Sequence, residues 1–141
     1  MSEFKMFMVG TGEDEEVEYV ASKRMVDENG EPVAWKLKAI DSDMDEKLRK
    51  ECTKKVAVNG KKNQYVPETD MDKYLAKLCV ACVVYPNLND VELQDFYGVK
   101  GAEALLKKML KPAEYTNLKV RVNEILGYDM SMEEEVEEAK N

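Results

Sequence analysis

The chain has 141 residues and a formal charge of −8, with 44% hydrophobic and 35% charged residues, a composition typical of one globular domain. It contains no histidine, which excludes Ser-His-Asp and Cys-His catalysis because both need an imidazole as the base. No apolar run approaches the length of about 18 residues that spans a membrane, and the negative charge disfavours a general nucleic-acid binder.

The N-terminal part predicts an arm followed by a β-hairpin. Residues 1–16 mix apolar and acidic side chains without a sustained period, and they lack the cleavage site of a signal peptide, so we expect a cytoplasmic protein. Further on, Val33, Trp35 and Leu37 alternate with less apolar residues, as in a half-buried strand. The dipeptide Asn29-Gly30 before them is typical of a tight hairpin turn with positive φ angles.

Helical patterns dominate the rest of the chain. Residues 41–56 carry Met44, Leu48 and Cys52 at every fourth position, and the polar stretch "NGKKNQYVPET" that follows is interpreted as a loop. Asp70 is expected to cap a helix that is apolar on nearly every side, which is typical of a central helix, and that ends at Pro86. Three further helices are predicted between residues 90 and 127.

The last residues add one more helical signal, a capping box that begins at Ser131 and precedes an acidic run. The predicted fold class is therefore α+β but predominantly α, with an N-terminal β-hairpin followed by a compact bundle of about five or six helices. We expect three parts, namely an arm over 1–16, a single globular domain over 17–128 and an acidic C-terminal helix or tail over 129–141.

The pair Cys79-x-x-Cys82 is the motif that most resembles a chemical site. A redox pair of this kind has its first thiol at a helix N-terminus, where the dipole stabilises the thiolate, whereas Cys79 lies about two turns inside the predicted helix. Structural zinc needs four ligands, and the chain has three cysteines and no histidine. We therefore predict that both cysteines pack in the core, with no metal, no cofactor and no enzymatic activity.

Charge is unevenly distributed along the chain. Residues 47–62 contain seven basic residues and one acidic residue, a net +6, while residues 127–141 contain six acidic residues and one lysine, a net −5. Both runs are typical of solvated surface. The basic run leaves open an accessory role on nucleic acid through its phosphates, for which Lys50, Lys54, Lys61 and Lys62 are the candidate residues.

Two groups of apolar residues are candidates for binding a partner. On the short helix predicted near residue 93, Leu93, Phe96 and Tyr97 cannot all face inward, which leaves aromatic surface for a partner. Near the C-terminus, the flexible side chains of Met130 and Met132 share an acidic segment with Val136. The alternatives are that neighbouring helices cover the first group and that the second has no binding role.

Several stretches resemble the XkdN-like phage tail assembly chaperones. They occur in the order of that family and are "SKRMVDENGEPVAWKLKAI", "ECTKKV", "YVPETDMDKYLAKL", "YPNLNDVELQDFYGVKGAEALLKKMLKPAEYTNL" and "EEAKN". Together they extend from about residue 17 to residue 141. Phe96 and Ala113 depart from the smaller residues of the family, which affects details of the helix contacts.

The resemblance implies an assembly protein of a long-tailed phage or prophage, made in the cytoplasm of the bacterial host. It implies binding to the tape measure protein, the long helical ruler of the tail, which the chaperone keeps soluble, with the tail tube protein as a second partner. It implies no catalytic motif. Two other functions remain open from the residues, a structural tail component and the nucleic-acid accessory protein.

Overall fold

The computed structural model describes residues 3–128, in which strands and helices are interspersed and the last three elements are helices. In chain order the elements are a 3-10 helix (Glu3–Phe7), β1 (Glu16–Tyr19), β2 (Trp35–Lys38), α1 (Ser42–Glu51), β3 (Thr53–Ala57), β4 (Tyr65–Thr69), α2 (Met71–Cys82), β5 (Val83–Tyr85), α3 (Val91–Tyr97), α4 (Ala102–Met109) and α5 (Pro112–Ile125). Within 3–128 there are thus five α-helices and five strands in two antiparallel sheets. The predicted C-terminal helix or tail over 129–141 lies outside the described residues.

The N-terminal hairpin is present, but its turn differs from the prediction. β1 and β2 pair antiparallel, with Val17 opposite Leu37, and they are joined by the long connection 20–34 rather than by a two-residue loop. Within that connection Gly30 adopts a positive φ of 79°, whereas Asn29 does not. The carboxylate of Asp27 organises the turn by accepting hydrogen bonds from the backbone N–H groups of Asn29 and Glu31, at 2.8 and 3.0 Å.

The prediction of a predominantly α-helical bundle is wrong, because two segments predicted to be helix or loop form strands. The first is the β3–β4 hairpin, in which Thr53 pairs with Thr69 and Ala57 with Tyr65. Helix α1 ends at Glu51, and the β-branched residues that follow favour extended backbone. Gly60 and Asn63 then take positive φ angles of 78° and 62° in the turn. The stretch predicted to be a loop therefore contains this turn and the whole of β4.

The second of these segments contains β5, a strand that follows α2 directly. Val83 pairs with Leu37, so β5 joins the N-terminal sheet in the order β1-β2-β5. The helix was expected to continue to Pro86, but it ends at Cys82. Two consecutive β-branched valines and a residue that precedes proline all disfavour further helix. The fold is therefore mixed α+β with an N-terminal hairpin, and no bundle of five or six helices follows it.

The core lies around α2, as its all-round apolar sequence indicates. Asp70 caps this helix and accepts a hydrogen bond from the N–H of Lys73 at 3.1 Å, which confirms the predicted helix start. Helices α1, α4 and α5 pack around α2. Trp35 and Leu37 of β2 are buried in the same core, as their alternation predicts. Within the described residues, no helix has the length and hydropathy that crossing a membrane requires.

Candidate partner-binding surface

Helix α3 is short, and residues of its own sequence cap both of its ends. Asp90 caps it and accepts a hydrogen bond from the N–H of Leu93 at 2.8 Å, and Gly98 ends it in the left-handed conformation with φ 67°. The side chain of Gln94 donates to the carbonyl of Leu88 at 2.8 Å and accepts from the N–H of Gly101 at 3.2 Å. The two caps thus define where α3 begins and ends, and Gln94 connects the helix to the loops on both sides.

The three residues predicted to compete for the inside of α3 take different positions. Leu93 and Tyr97 are partly buried and pack against the core. The side chain of Phe96, in contrast, is 80% exposed, and its ring makes an edge-to-face contact with Tyr97 at a centroid distance of 4.9 Å. Val91 on the same helix is 70% exposed. The prediction that these residues cannot all face inward is confirmed, and their binding role remains a prediction.

An open groove runs along this exposed side of α3. It has a volume of about 400 Å³ and is lined by Pro86, Asn87, Asp90, Glu92, Leu93 and Phe96. Tyr85, next to the groove in sequence, is half exposed at the end of β5, where it precedes Pro86 through a cis peptide bond. The groove is therefore built by the loop that follows β5 and by one face of α3, all within residues 86–96.

A second set of exposed apolar residues lies at the N-terminus. It consists of large side chains in and after the 3-10 helix, namely Phe4, Met6, Phe7, Met8 and Val9. The rings of Phe4 and Phe7 lie 6.4 Å apart. Exposed apolar clusters of this kind are typical of surfaces that meet a partner. The sequence signal was available, since Met6 and Met8 stand near the chain end, but they were not among the predicted site residues.

The candidate residues Met130, Met132 and Val136 lie outside the described residues, so their predicted role in binding stays a prediction. The described chain ends beside α1, where Tyr128 lines a small pocket together with Asp41 and Asp45.

The two cysteines of the C-x-x-C motif are core residues, as predicted. Cys79 is 1% exposed and Cys82 is fully buried. Burial raises the pKa of each thiol to about 12, since the thiolate would lose its hydration. Cys79 also lies well inside α2, away from the helix N-terminus that could lower its pKa. Among residues 3–128 no group of histidine, cysteine, aspartate and glutamate side chains is arranged to hold a metal ion.

The basic run is divided among three elements. Its cations lie on the last turns of α1, on β3 and in the β3–β4 turn. Acidic groups lie among them, since Lys54 stands opposite Glu68 across the hairpin and lines a pocket with Asp70 and Asp72. The basic run thus forms a surface of mixed charge, and the nucleic-acid role of its lysines remains a prediction.

Comparison with known proteins relates this geometry to a family. A family model described as "Phage XkdN-like tail assembly chaperone protein" matches residues 4–140. The chain belongs to this family. The resemblance drawn from the sequence is thereby confirmed, and with it a role connected with phage tails.

Two curated relatives and one solved structure extend the comparison. The chain is 36% identical over 141 residues to "Uncharacterized protein YqbN" of Bacillus subtilis (strain 168), covering 99% of this chain and 93% of that protein. It is 30% identical to "Phage-like element PBSX protein XkdN" of the same strain, covering 99% and 94%. The crystal structure of the protein yqbn matches with a TM-score of 0.73 at 32% identity, covering 92% of this chain and 99% of that one. The mixed fold therefore has a counterpart among solved structures.

Proposed function

We propose that this member of the XkdN-like family binds the tape measure protein of a phage or prophage and keeps it soluble during tail assembly. The observation that carries the proposal is the exposed α3 surface, with Phe96 80% exposed, in a chain that matches a tail assembly chaperone family over residues 4–140. Tape measure binding is the proposed step, in the cytoplasm of the bacterial host, and the tail tube protein is a second proposed partner.

The physical basis of the proposed activity is the covering of apolar helix surface. A long helical client exposes apolar stripes until the tail tube encloses it, and such stripes associate with one another in water. A small domain with a fixed apolar surface covers part of a stripe, and its formal charge of −8 keeps the complex soluble. This role requires no catalysis, and we propose that the protein is not an enzyme.

The test of the proposal is co-expression with the long helical protein encoded beside it in the same phage genome. We expect that protein to be soluble only when this chain is present, and we expect the two to elute together. The matched control is co-expression with an unrelated acidic domain of similar size. An insoluble client in both cases, or a soluble client that does not co-elute, would contradict the proposal.

The C-terminal residues form the second proposed contact. Deletion of residues 131–141 is expected to weaken client solubilisation without unfolding the domain, because Met132 and Val136 are removed while every core residue identified within 3–128 is retained. Circular dichroism of the truncated chain measures folding, and the co-expression assay measures function. Undiminished solubilisation by the truncated chain would show that this segment has no role.

Two further outcomes distinguish the other functions. Detection of the chain in finished tails by mass spectrometry would favour a structural tail component over a chaperone. Binding to duplex DNA with an affinity that falls steeply with salt would favour the nucleic-acid accessory role of Lys50, Lys54, Lys61 and Lys62.

A further inference from the structure

The groove beside α3 combines apolar side chains with charge of a single sign. Its lining contains two carboxylates, those of Asp90 and Glu92, and no lysine or arginine. Asp95 lies on the exposed side of the same helix, one turn after Val91. In the described part of the chain neither Glu92 nor Asp95 forms a salt bridge. Their charges are therefore available to an incoming group.

The apolar part of this surface is connected to the core through Tyr97. Phe96 makes an edge-to-face contact with Tyr97, which packs against the core, and Pro86 and Leu93 also line the groove. Aromatic residues in such positions supply much of the binding energy at protein interfaces.

We propose that the occupant of the groove is an amphipathic helical segment whose apolar stripe is bordered by lysine or arginine. This inference rests on the proposed function and adds the chemistry of the bound segment. The stripe would cover Leu93 and Phe96, which both line the groove, and the bordering cations would lie near Glu92 and Asp95, on one side of that pair. A stripe bordered by acidic residues would place like charges together in a region from which water is partly excluded, where their repulsion is strengthened.

The test uses three labelled peptides of 18 residues each and the full chain. The first has a leucine stripe bordered by lysines, the second has the same stripe bordered by glutamates, and the third has the composition of the first with its leucines scattered. Fluorescence anisotropy at physiological salt measures the affinity of each. We expect the first peptide to bind at least about tenfold more tightly than either of the others. The third peptide controls for simple attraction to an acidic protein.

Two variants locate the binding. Phe96→Ala is expected to weaken the first peptide about tenfold or more, whereas Tyr65→Ala, which removes an aromatic ring that is 60% exposed on β4, is expected to leave it unchanged. The double change Glu92→Gln with Asp95→Asn is expected to reduce the preference for lysine over glutamate borders. Its control, Glu28→Gln with Glu31→Gln, changes the net charge equally in the loop between β1 and β2.

Several results would overturn this inference. They are equal binding of the lysine and glutamate peptides, absence of binding by the lysine peptide, and equal effects of the two carboxylate double changes. Circular dichroism of each variant separates loss of binding from loss of folding. If Phe96→Ala still solubilises the long tail protein in co-expression, the inference about the groove fails while the proposed function stands.

Discussion

The surroundings of α2 and the exposed side of α3 contain similar residues in opposite environments. Leu118 and Val122 of α5, which pack on α2, are fully buried, while Val91 and Phe96 of α3 are 70% and 80% exposed. The same apolar chemistry therefore stabilises the fold in one region and remains available to a partner in the other. Substitutions in the two regions should therefore change the free energy of unfolding by very different amounts.

The largest expected effect belongs to Leu118 in the core. Leu118→Ala is expected to lower the free energy of unfolding by about 2–5 kcal/mol, because the methyl groups leave a cavity among fixed neighbours. The matched control is Val120→Ala on the same helix, where the side chain is 39% exposed and the loss should be below about 1 kcal/mol. Urea unfolding measures both, and equal losses would contradict the assignment of the core.

The buried thiol of Cys79 is expected to give the next largest effect. Cys79→Ser places a hydroxyl among apolar side chains and should cost about 1–3 kcal/mol, with Cys79→Ala as the control for the lost sulfur. Because burial raises the pKa of this thiol to about 12, it should react with a disulfide reagent at pH 8 only after unfolding. Rapid labelling of Cys79 in the folded protein would place it outside the core.

Phe96→Ala tests the other side of the comparison. Because the ring is largely in water already, its removal should change the free energy of unfolding by less than about 1 kcal/mol, the loss being that of the edge contact with Tyr97. Urea unfolding of this variant beside Leu118→Ala measures the difference directly. A loss as large as that of Leu118→Ala would mean that Phe96 is a structural residue.

The smallest expected effect is electrostatic and depends on pH. The Nη2 atom of Arg24 lies 2.6 Å from Oε1 of Glu114, and the backbone N–H of Lys111 donates to the same oxygen. The hydrogen bond from Arg24, together with the one from Lys111, lowers the pKa of the Glu114 carboxyl to about 2. A lowered folded pKa gives stability above the ordinary pKa of 4.5 that is lost as the pH falls toward 2. Glu114→Gln should therefore lower the melting temperature slightly at pH 7 and not at pH 2. The same deficit at both pH values would contradict this ion pair.

Local patterns predicted those parts of the fold that depend on near neighbours. The alternation around Trp35, the cap at Asp70 and the apolar face containing Cys79 each follow from residues a few positions apart. The strand β5 could not be predicted in this way, because Val83 becomes a strand residue by pairing with Leu37, far away in the sequence. The β3–β4 hairpin was missed because its charged residues were interpreted as a solvated helix and loop.

The candidate surface divides in the same way between local and distant information. Counting faces on one short helix predicts that Leu93, Phe96 and Tyr97 cannot all face inward, but only the folded chain shows that Phe96 is the exposed one. The groove also needs Pro86, whose position depends on how β5 enters the sheet, so its shape appears only in the folded chain, whereas its acidic residues already stand close together in the sequence.

Hydrogen exchange of the chain alone and in complex with the tape measure protein would show which surface of the domain meets the client. If α3 and the end of β5 form the client surface, the backbone amides of residues 84–97 should gain protection in the complex, while those of the buried helix α5 should change little. Protection confined to the β3–β4 hairpin, with no change over residues 84–97, would contradict the account.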